Sequence, residues 1–343
     1  MEGLVTTLGL DLILGIETSC DETAAAVVEA GRRIRSNVIA SQMELHQRFG
    51  GVVPEIASRR HVELLLPVID EALRQAGVTL SDIDAVAVTQ GPGLVGSLLV
   101  GISAAKALAF ARHLPLIGVN HIEGHIYANF LAHPDLEPPL VCLTVSGGHT
   151  VLFYVPRFGE YEVMGTTRDD AAGEALDKVA RILGLGYPGG PAIDRLSRGR
   201  NPQRIDFPRA MLDDGYEFSF SGLKTAAVQR LERARRQGET VDVADFAAAF
   251  QEAVVDVLVT KALRAARDRG VRRLIISGGV AANSRLRERL LAEGGEAGLQ
   301  VYWPPLELCT DNAAMIAAAG YFRLQAGERS PLSLNAEPSL RLR

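Results

Sequence analysis

Short apolar runs bounded by glycine, proline and polar clusters alternate along this chain with longer stretches of helical periodicity. That alternation predicts an α/β protein rather than separate helical and strand-rich parts. Leu12 to Glu17 is apolar, Ser19-Cys20-Asp21-Glu22-Thr23 is polar, and Ala24 to Glu29 resumes strand character, so a hairpin is expected there. Pro54 can open a helix through the apolar positions Leu64, Leu65, Val68, Ile69 and Leu73, with Gly77 as its stop. Asp84 to Thr89 reads as a strand, followed by Gly91-Pro92-Gly93, a long apolar helix from about Leu94 to Arg112, and a short strand at Leu116 to Val119.

After the proline-rich segment His133 to Pro139 the opening pattern returns. Leu140 to Val145 is apolar, Ser146-Gly147-Gly148-His149-Thr150 is polar, and Val151 to Val155 is apolar again. Further strands are expected at Tyr161 to Thr166, Leu274 to Ile276 and Val301 to Trp303, and a last helix from around Asp311. The repetition of pattern predicts two related α/β lobes, at 12–135 and 136–330.

Composition narrows the classes. A chain of 343 residues suits two domains, and 47 % hydrophobic with 22 % charged residues excludes disorder, collagen and coiled coil. No apolar run approaches the roughly 20 residues of a membrane helix. Met1 to Leu14 includes Glu2 and Asp11 and lacks a basic start, so no signal peptide, no membrane association and a cytoplasmic protein are expected. Cys20, Cys142 and Cys309 lie too far apart in sequence for a zinc knuckle or a redox pair. A formal charge of -5 excludes bulk electrostatic adhesion to nucleic acid. It leaves the arginines at 195, 198, 200, 204 and 209 as the densest phosphate-backbone candidate, set against a plain solvated loop.

Candidate chemistry falls in three places. The two hairpin tips and the turn Ser277-Gly278-Gly279, with Asn283 after it, can aim backbone N–H groups at an anion or a ribose, the alternative for the tips being ordinary hairpin turns. Neither a P-loop nor a GxGxxG unit accompanies them. His121 and His125, four apart, share one face if helical and can grip a metal ion, the alternative being surface or capping histidines. Ile122 follows His121, so this is not the HExxH of zinc peptidases. Asp311 is a third-ligand candidate or an N-cap, and Asp177 and Asp194 are candidates for hydroxyl contacts or solvated helix faces.

Taken in order, GIETSCDET, PEIASRRH, GPGLVGSL, NHIEGH, VSGGHT, GEALDKVARILGLGYPGGPAID, FSFSGLKT, SGGVAANSRLR and CTDNAAM closely resemble the bacterial tRNA threonylcarbamoyladenosine transferase family. That family is also known as TsaD, formerly Gcp or O-sialoglycoprotein endopeptidase. The match runs from about Leu14 to Ala326. Thr144 and His149 stand where archaeal and eukaryotic relatives carry Tyr and Asn, which favours the bacterial branch. The resemblance implies an actin-like (ASKHA) fold with two duplicated RNase H-like lobes, a nucleotide cleft between them and a last helix returning to the first lobe. It implies a divalent metal, Fe2+ or Zn2+, on His121, His125 and Asp311. It also implies contacts to ATP or threonylcarbamoyl-AMP from Thr144, Val145, Ser146, Gly147, Gly148, Asp177, Gly190, Asp194 and Asn283.

The implied reaction moves threonylcarbamoyl from threonylcarbamoyl-AMP to the N6 amine of adenosine-37 in tRNAs reading ANN codons. Glu22, at the first hairpin tip, is a candidate proton acceptor or substrate orienter, a role that no spacing fixes. The implied partners are tRNA, a smaller actin-like paralogue (TsaB) and an ATPase (TsaE). The helix opening at Pro54, with its apolar stretch from Val62 to Val68, is the candidate seat of the paralogue, the alternative being that these residues only cover their own sheet. A metallopeptidase or a small-molecule kinase of the same fold are the alternatives, separable by product analysis.

Overall fold

The hairpin at the start of the chain forms as β1 (Leu12–Glu17) and β2 (Glu22–Glu29), and the chain turns once more into β3 (Arg33–Ser41). Hydropathy does not reveal β3, because its exposed first residues set Ile34 between Arg33 and Arg35 and polar residues follow at Ser36 and Asn37. After a short α1 (Met43–Gln47) come α2 (Pro54–Ala76), β4 (Ala85–Gly91), α3 (Val95–Arg112), β5 (Leu116–Asn120) and α4 (His121–Ala132). Pro54 occupies the first turn of α2, and Gly77 ends it at φ 70°, where a residue without Cβ carries no steric cost. The strands form one sheet in the order β3-β2-β1-β4-β5, antiparallel among β1 to β3 and parallel from β1 through β4 to β5.

The chain then repeats this plan with β6 (Leu140–Val145), β7 (Thr150–Val155), β8 (Glu162–Thr166), α5 (Ala172–Ile182), α6 (Gly189–Ser197), α7 (Ser221–Gln237), α8 (Val243–Asp268), β9 (Arg273–Ser277), α9 (Ser284–Glu296), β10 (Gln300–Tyr302) and α10 (Leu306–Cys309). The second sheet, β10-β9-β6-β7-β8, has the same strand order and directions. Its core gathers around α8, with Phe246, Phe250, Val254 and Leu258 buried beside Leu143 and Ile276.

This is a computed structural model describing residues 11–342, so most of the Met1 to Leu14 segment read above lies outside the described residues. Contacts divide the chain into one unit running through Leu136 and resuming at Thr310–Leu342, and a second, Glu137–Cys309. The last helix, α11 (Ala313–Gln325), therefore belongs to the first unit. Its small residues let it lie directly on the first sheet. A Cβ at Gly15 of β1 would fall 2.3 Å from the Ala313 carbonyl oxygen, and one at Gly320 would fall 2.4 Å from Ala87 of β4. Arg323 donates to the buried Glu123 at 2.7 Å and ties α11 to α4.

Residues 330–342 then run along the first sheet: Glu337 N–H donates to Gln90, Gly93 N–H to Pro338, and Asn120 to Leu340. Among the described helices, α3 alone has the length and apolar character of a short membrane crossing, which the expectation of no such run overlooked. It buries Leu98, Ile102, Ala105 and Ala109 against the core of the first unit, as a sheet-covering helix does.

Candidate functional site

The metal candidates meet inside the first unit. Asn120 ends β5 and caps α4 by accepting from the Ile122 N–H, so His121 and His125 sit one turn apart on a helix whose residues 121–131 are all buried. Asp311 arrives with α11. The cap of α11 is Asn312, whose side chain accepts from Met315 N–H, so Asp311 is not used as an N-cap and projects toward the histidines. His121 Nε2 lies 3.4 Å and His125 Nε2 3.3 Å from Asp311 Oδ1. One ligand atom from each of the three residues falls within 4.8 Å of the others.

The donor set suits a divalent metal. His125 is buried, and neither of its ring nitrogens has a hydrogen-bond partner, although Nε2 lies near Asp311. Leaving a buried polar atom unpaired costs about 1–3 kcal/mol, which a cation at Nε2 would remove. Two imidazoles and one carboxylate suit iron or zinc and leave coordination positions open.

Electrostatics tie the group together. Burial opposes a charge on His121, but Asp311 and Glu17 outweigh it and raise its pKa well above the ordinary range; a cation at Nε2 would take the place of the proton that these carboxylates favour there. Burial and the neighbouring His121 push His125 down. Asp311 stays well below the usual carboxylate range because His121 and His125 overcome its own burial.

Glu22, at the first hairpin tip, is in the same unit. Its Oε1 accepts from Ser41 Oγ at 2.8 Å, and its buried Oε2 has no partner. Burial pushes the carboxyl up to about 7, the neighbouring carboxylates adding to the effect.

In the second unit the sequence-derived residues divide sharply. Thr144 and Val145 are fully buried in β6, and Thr144 shares a 2.9 Å hydrogen bond with Ser277 Oγ, so these side chains are closed to a ligand. Ser146 closes the hairpin tip through His149, while Gly147 and Gly148 are exposed with open space where a Cβ would stand. Asp177 Oδ1 accepts from the N–H groups of Gly189 and Gly190, at 2.7 and 3.2 Å, and caps α6; burial raises its pKa. Asp194 Oδ1 accepts from Ser284 N–H and Oγ, and Asn283 Oδ1 from Leu286 N–H, so both hold the start of α9. Asp194, Ser197, Arg198, Gln251, Ser284 and Arg285 line a cavity of about 330 Å³.

The arginine stretch changes character. Arg198 pairs with Asp194 at 3.1 Å, Arg200 with Asp242 at 3.4 Å, Arg204 with Asp245 at 2.7 Å and Arg209 with Asp256 at 2.8 Å. Asp194 is one helical turn before Arg198, while Asp242, Asp245 and Asp256 are distant in sequence, and the pairing weakens the stretch as a phosphate surface. Sequence reasoning also passed over Glu17 and Thr89, which read as the apolar strand ends that flank them. Glu17 is fully buried and accepts from His121 Nδ1 at 3.0 Å and from Thr89 Oγ1 at 2.6 Å. An ionisable residue closing an otherwise apolar run was the available signal.

A duplicated β3-β2-β1-β4-β5 sheet, with two buried histidines and a half-buried aspartate clustered in one copy, defines an actin-like α/β protein. Solved structures agree on the fold. A full-length HypF in its phosphate- and nucleotide-bound form is similar with a TM-score of 0.62 at 15 % identity, over 93 % of this chain and 47 % of that one. Component A of (R)-2-hydroxyglutaryl-CoA dehydratase from Acidaminococcus fermentans is similar at 0.56 and 15 %, over 92 % and 99 %. The family model for tRNA N6-adenosine threonylcarbamoyltransferase, TsaD, matches residues 33–318, and the chain belongs to that family. A relative of that name from Symbiobacterium thermophilum is 61 % identical over 96 % of this chain and 97 % of its own length. One from Clostridium perfringens is 57 % identical over 96 % and 98 %.

Proposed function

We propose that this chain transfers a threonylcarbamoyl group from threonylcarbamoyl-AMP to the N6 amine of adenosine-37 in tRNAs reading ANN codons. The observation that carries the reading is the 61 % identity, across nearly the whole chain, to a relative of the corresponding name. The relatives give no support to the peptidase and small-molecule kinase alternatives.

In this reading His121, His125 and Asp311 hold Fe2+ or Zn2+. When bound, the metal supplies Lewis acidity toward a substrate oxygen. The exposed Gly147-Gly148 tip offers backbone N–H groups to the phosphate of the adenylate, with the cavity beside Asp194 and the start of α9 for adenosine. Asp177, Gly190 and Asn283 shape that surface from their capping positions. An exocyclic amine is a poor nucleophile, so holding it against an activated carbonyl is the first task. As its nitrogen bonds to the carbonyl carbon, the bond from that carbon to the phosphate oxygen breaks and AMP departs with the electron pair. The amine proton passes to Glu22, whose pKa of about 7 suits a proton acceptor near neutrality.

The partners in this reading are tRNA, the smaller actin-like paralogue and the ATPase. Val62 and Leu66 of α2 and Val95 and Leu99 of α3 are 66, 67, 54 and 41 % exposed, on helices that cross where Gly96 meets Ser58; this apolar face is the proposed seat of the paralogue. The test is mass spectrometry of nucleosides from unmodified tRNA incubated with this protein, its partners and threonylcarbamoyl-AMP. Threonylcarbamoyladenosine is expected, and its absence with all components present overturns the reading.

A further inference from the structure

We propose that Glu17 is the positioning residue of the metal centre: its buried carboxylate fixes His121 with the proton on Nδ1, leaving Nε2 to bind the cation. The inference rests on the metal reading above.

A neutral imidazole has one N–H and one lone pair, and the partner of one nitrogen decides which role the other takes. His121 Nδ1 faces Glu17 Oε2 at 3.0 Å and Ser19 Oγ at 3.2 Å, and the carboxylate, which only accepts, requires the proton on Nδ1, while Nε2 faces Asp311. Glu17 is fully buried, and its oxygens receive the Ser19 N–H, the Thr89 hydroxyl at 2.6 Å and His121 Nδ1–H. This is a carboxylate held in one orientation by three donors, the arrangement by which outer-sphere carboxylates orient metal-binding histidines. His125 has no such support, since its Nδ1 has no partner. Of the two histidines, it is His121 whose Nδ1 meets a carboxylate.

The second unit shows that the fold does not demand this carboxylate. Ile16 pairs with Val88 as Thr144 pairs with Ser277, so Glu17 and Thr89 correspond to Val145 and Gly278. At the same place in the second sheet there is a buried valine and a glycine, with no carboxylate and no hydroxyl. A purely structural Glu17, serving the turn through Ser19 N–H, has to be distinguished from a positioning one by what His121 does.

The experiment measures Zn2+ affinity of the full chain by competition with a chromophoric chelator, for wild type, Glu17→Gln, Thr89→Val, His121→Ala and Asp311→Ala. Long-range proton–nitrogen NMR of the Zn2+-loaded wild type runs alongside. Glu17→Gln is expected to weaken Zn2+ by about 10- to 100-fold, with Thr89→Val losing less. The wild-type spectrum is expected to show a His121 Nδ1–H proton and a metal-bound Nε2. Wild-type affinity in Glu17→Gln, with loss in His121→Ala and Asp311→Ala, overturns the role of Glu17 alone. Wild-type affinity in the two ligand variants overturns the metal reading and this inference with it. If Glu17→Gln does not fold, the NMR decides: coordination through Nδ1 overturns the proposal.

Discussion

At the end of the first strand of each sheet, the two units use one backbone plan in opposite ways. In the first unit Glu17 and Thr89 place a carboxylate and a hydroxyl in hydrogen-bonding contact. In the second, Val145 and Gly278 place backbone against backbone, and a Cβ on Gly278 would fall 2.5 Å from the Val145 carbonyl oxygen. The first unit keeps polar side chains that helix capping leaves available, namely the buried His121 and His125 and the half-buried Asp311. The second commits its polar side chains, Asp177, Asp194 and Asn283, to helix starts and leaves a bare glycine tip. A duplicated fold can thus present side-chain chemistry from one copy and backbone recognition from the other. The difference lies in whether a polar residue or its neighbour does the capping.

The largest effect expected from that contrast comes at adjacent residues. Asp311→Ala should lower metal affinity and transfer activity by more than about 100-fold, since a direct ligand outweighs an outer partner, while leaving thermal stability little changed. Asn312→Ala should do the reverse and cost about 1 kcal/mol of stability through the lost cap, with metal retained. Elemental analysis and thermal unfolding of both variants check the pair, and equal metal loss in both would erase the distinction between ligand and cap.

That adjacency also shows how far the sequence can be read. The hairpins, the α2 and α3 helices and the glycine turns follow from local periodicity and from Pro54 and Gly77, so they are legible without tertiary information. Whether Asp311 or Asn312 caps α11 depends on backbone geometry at one residue, and Thr310-Asp311-Asn312 offers several candidates. The pairing of Arg200 and Arg204 with Asp242 and Asp245 depends on α8 folding back beside them, which no local pattern encodes. Residues 330–342 lack hydrophobic periodicity because they bind the first sheet largely through backbone groups. Resemblance supplied the His-His-Asp association across the long sequence gap, where spacing left it open.

Glu22 sharpens the comparison on the side-chain half. Its carboxyl is raised to about 7 in the folded chain, so it holds its proton below that pH and becomes a base above it. The transfer rate should rise with pH through about 7 and then level, and Glu22→Gln should remove the inflection and about 100-fold of rate. Stability gives an independent sign. The native carboxyl retains its proton above 4.5, the ordinary value, so the native state binds more protons than the unfolded chain between about 4.5 and 7. Its contribution therefore falls as pH rises through that window. Unfolding of Glu22→Gln across the same range should show a flatter dependence, and an unchanged slope would separate Glu22 from the titration.

On the backbone half, Gly147 has open space around its missing Cβ, so Gly147→Val should fold normally. Its side chain would stand where an anion approaches the tip, and ATP affinity measured by calorimetry should fall about 10-fold, near 1.4 kcal/mol. Unchanged affinity would move phosphate recognition away from the hairpin tip.

The smallest effect is expected in the second unit's arginine stretch. Were Arg198, Arg200 and Arg204 all phosphate contacts, replacing them with Ala would reduce the slope of log affinity against log salt by about 2, at roughly 0.7–0.9 per contact. Each is instead held by a carboxylate, Asp194, Asp242 or Asp245, and a phosphate would have to displace that partner before binding. The triple variant should therefore change the slope by less than about 1 when tRNA binding is followed across a salt series. A drop of the full amount would mean that these ion pairs open on contact with RNA. In that case the second unit would contribute side-chain charge as well as backbone, and the division drawn between the two units would hold only for the chain without its tRNA.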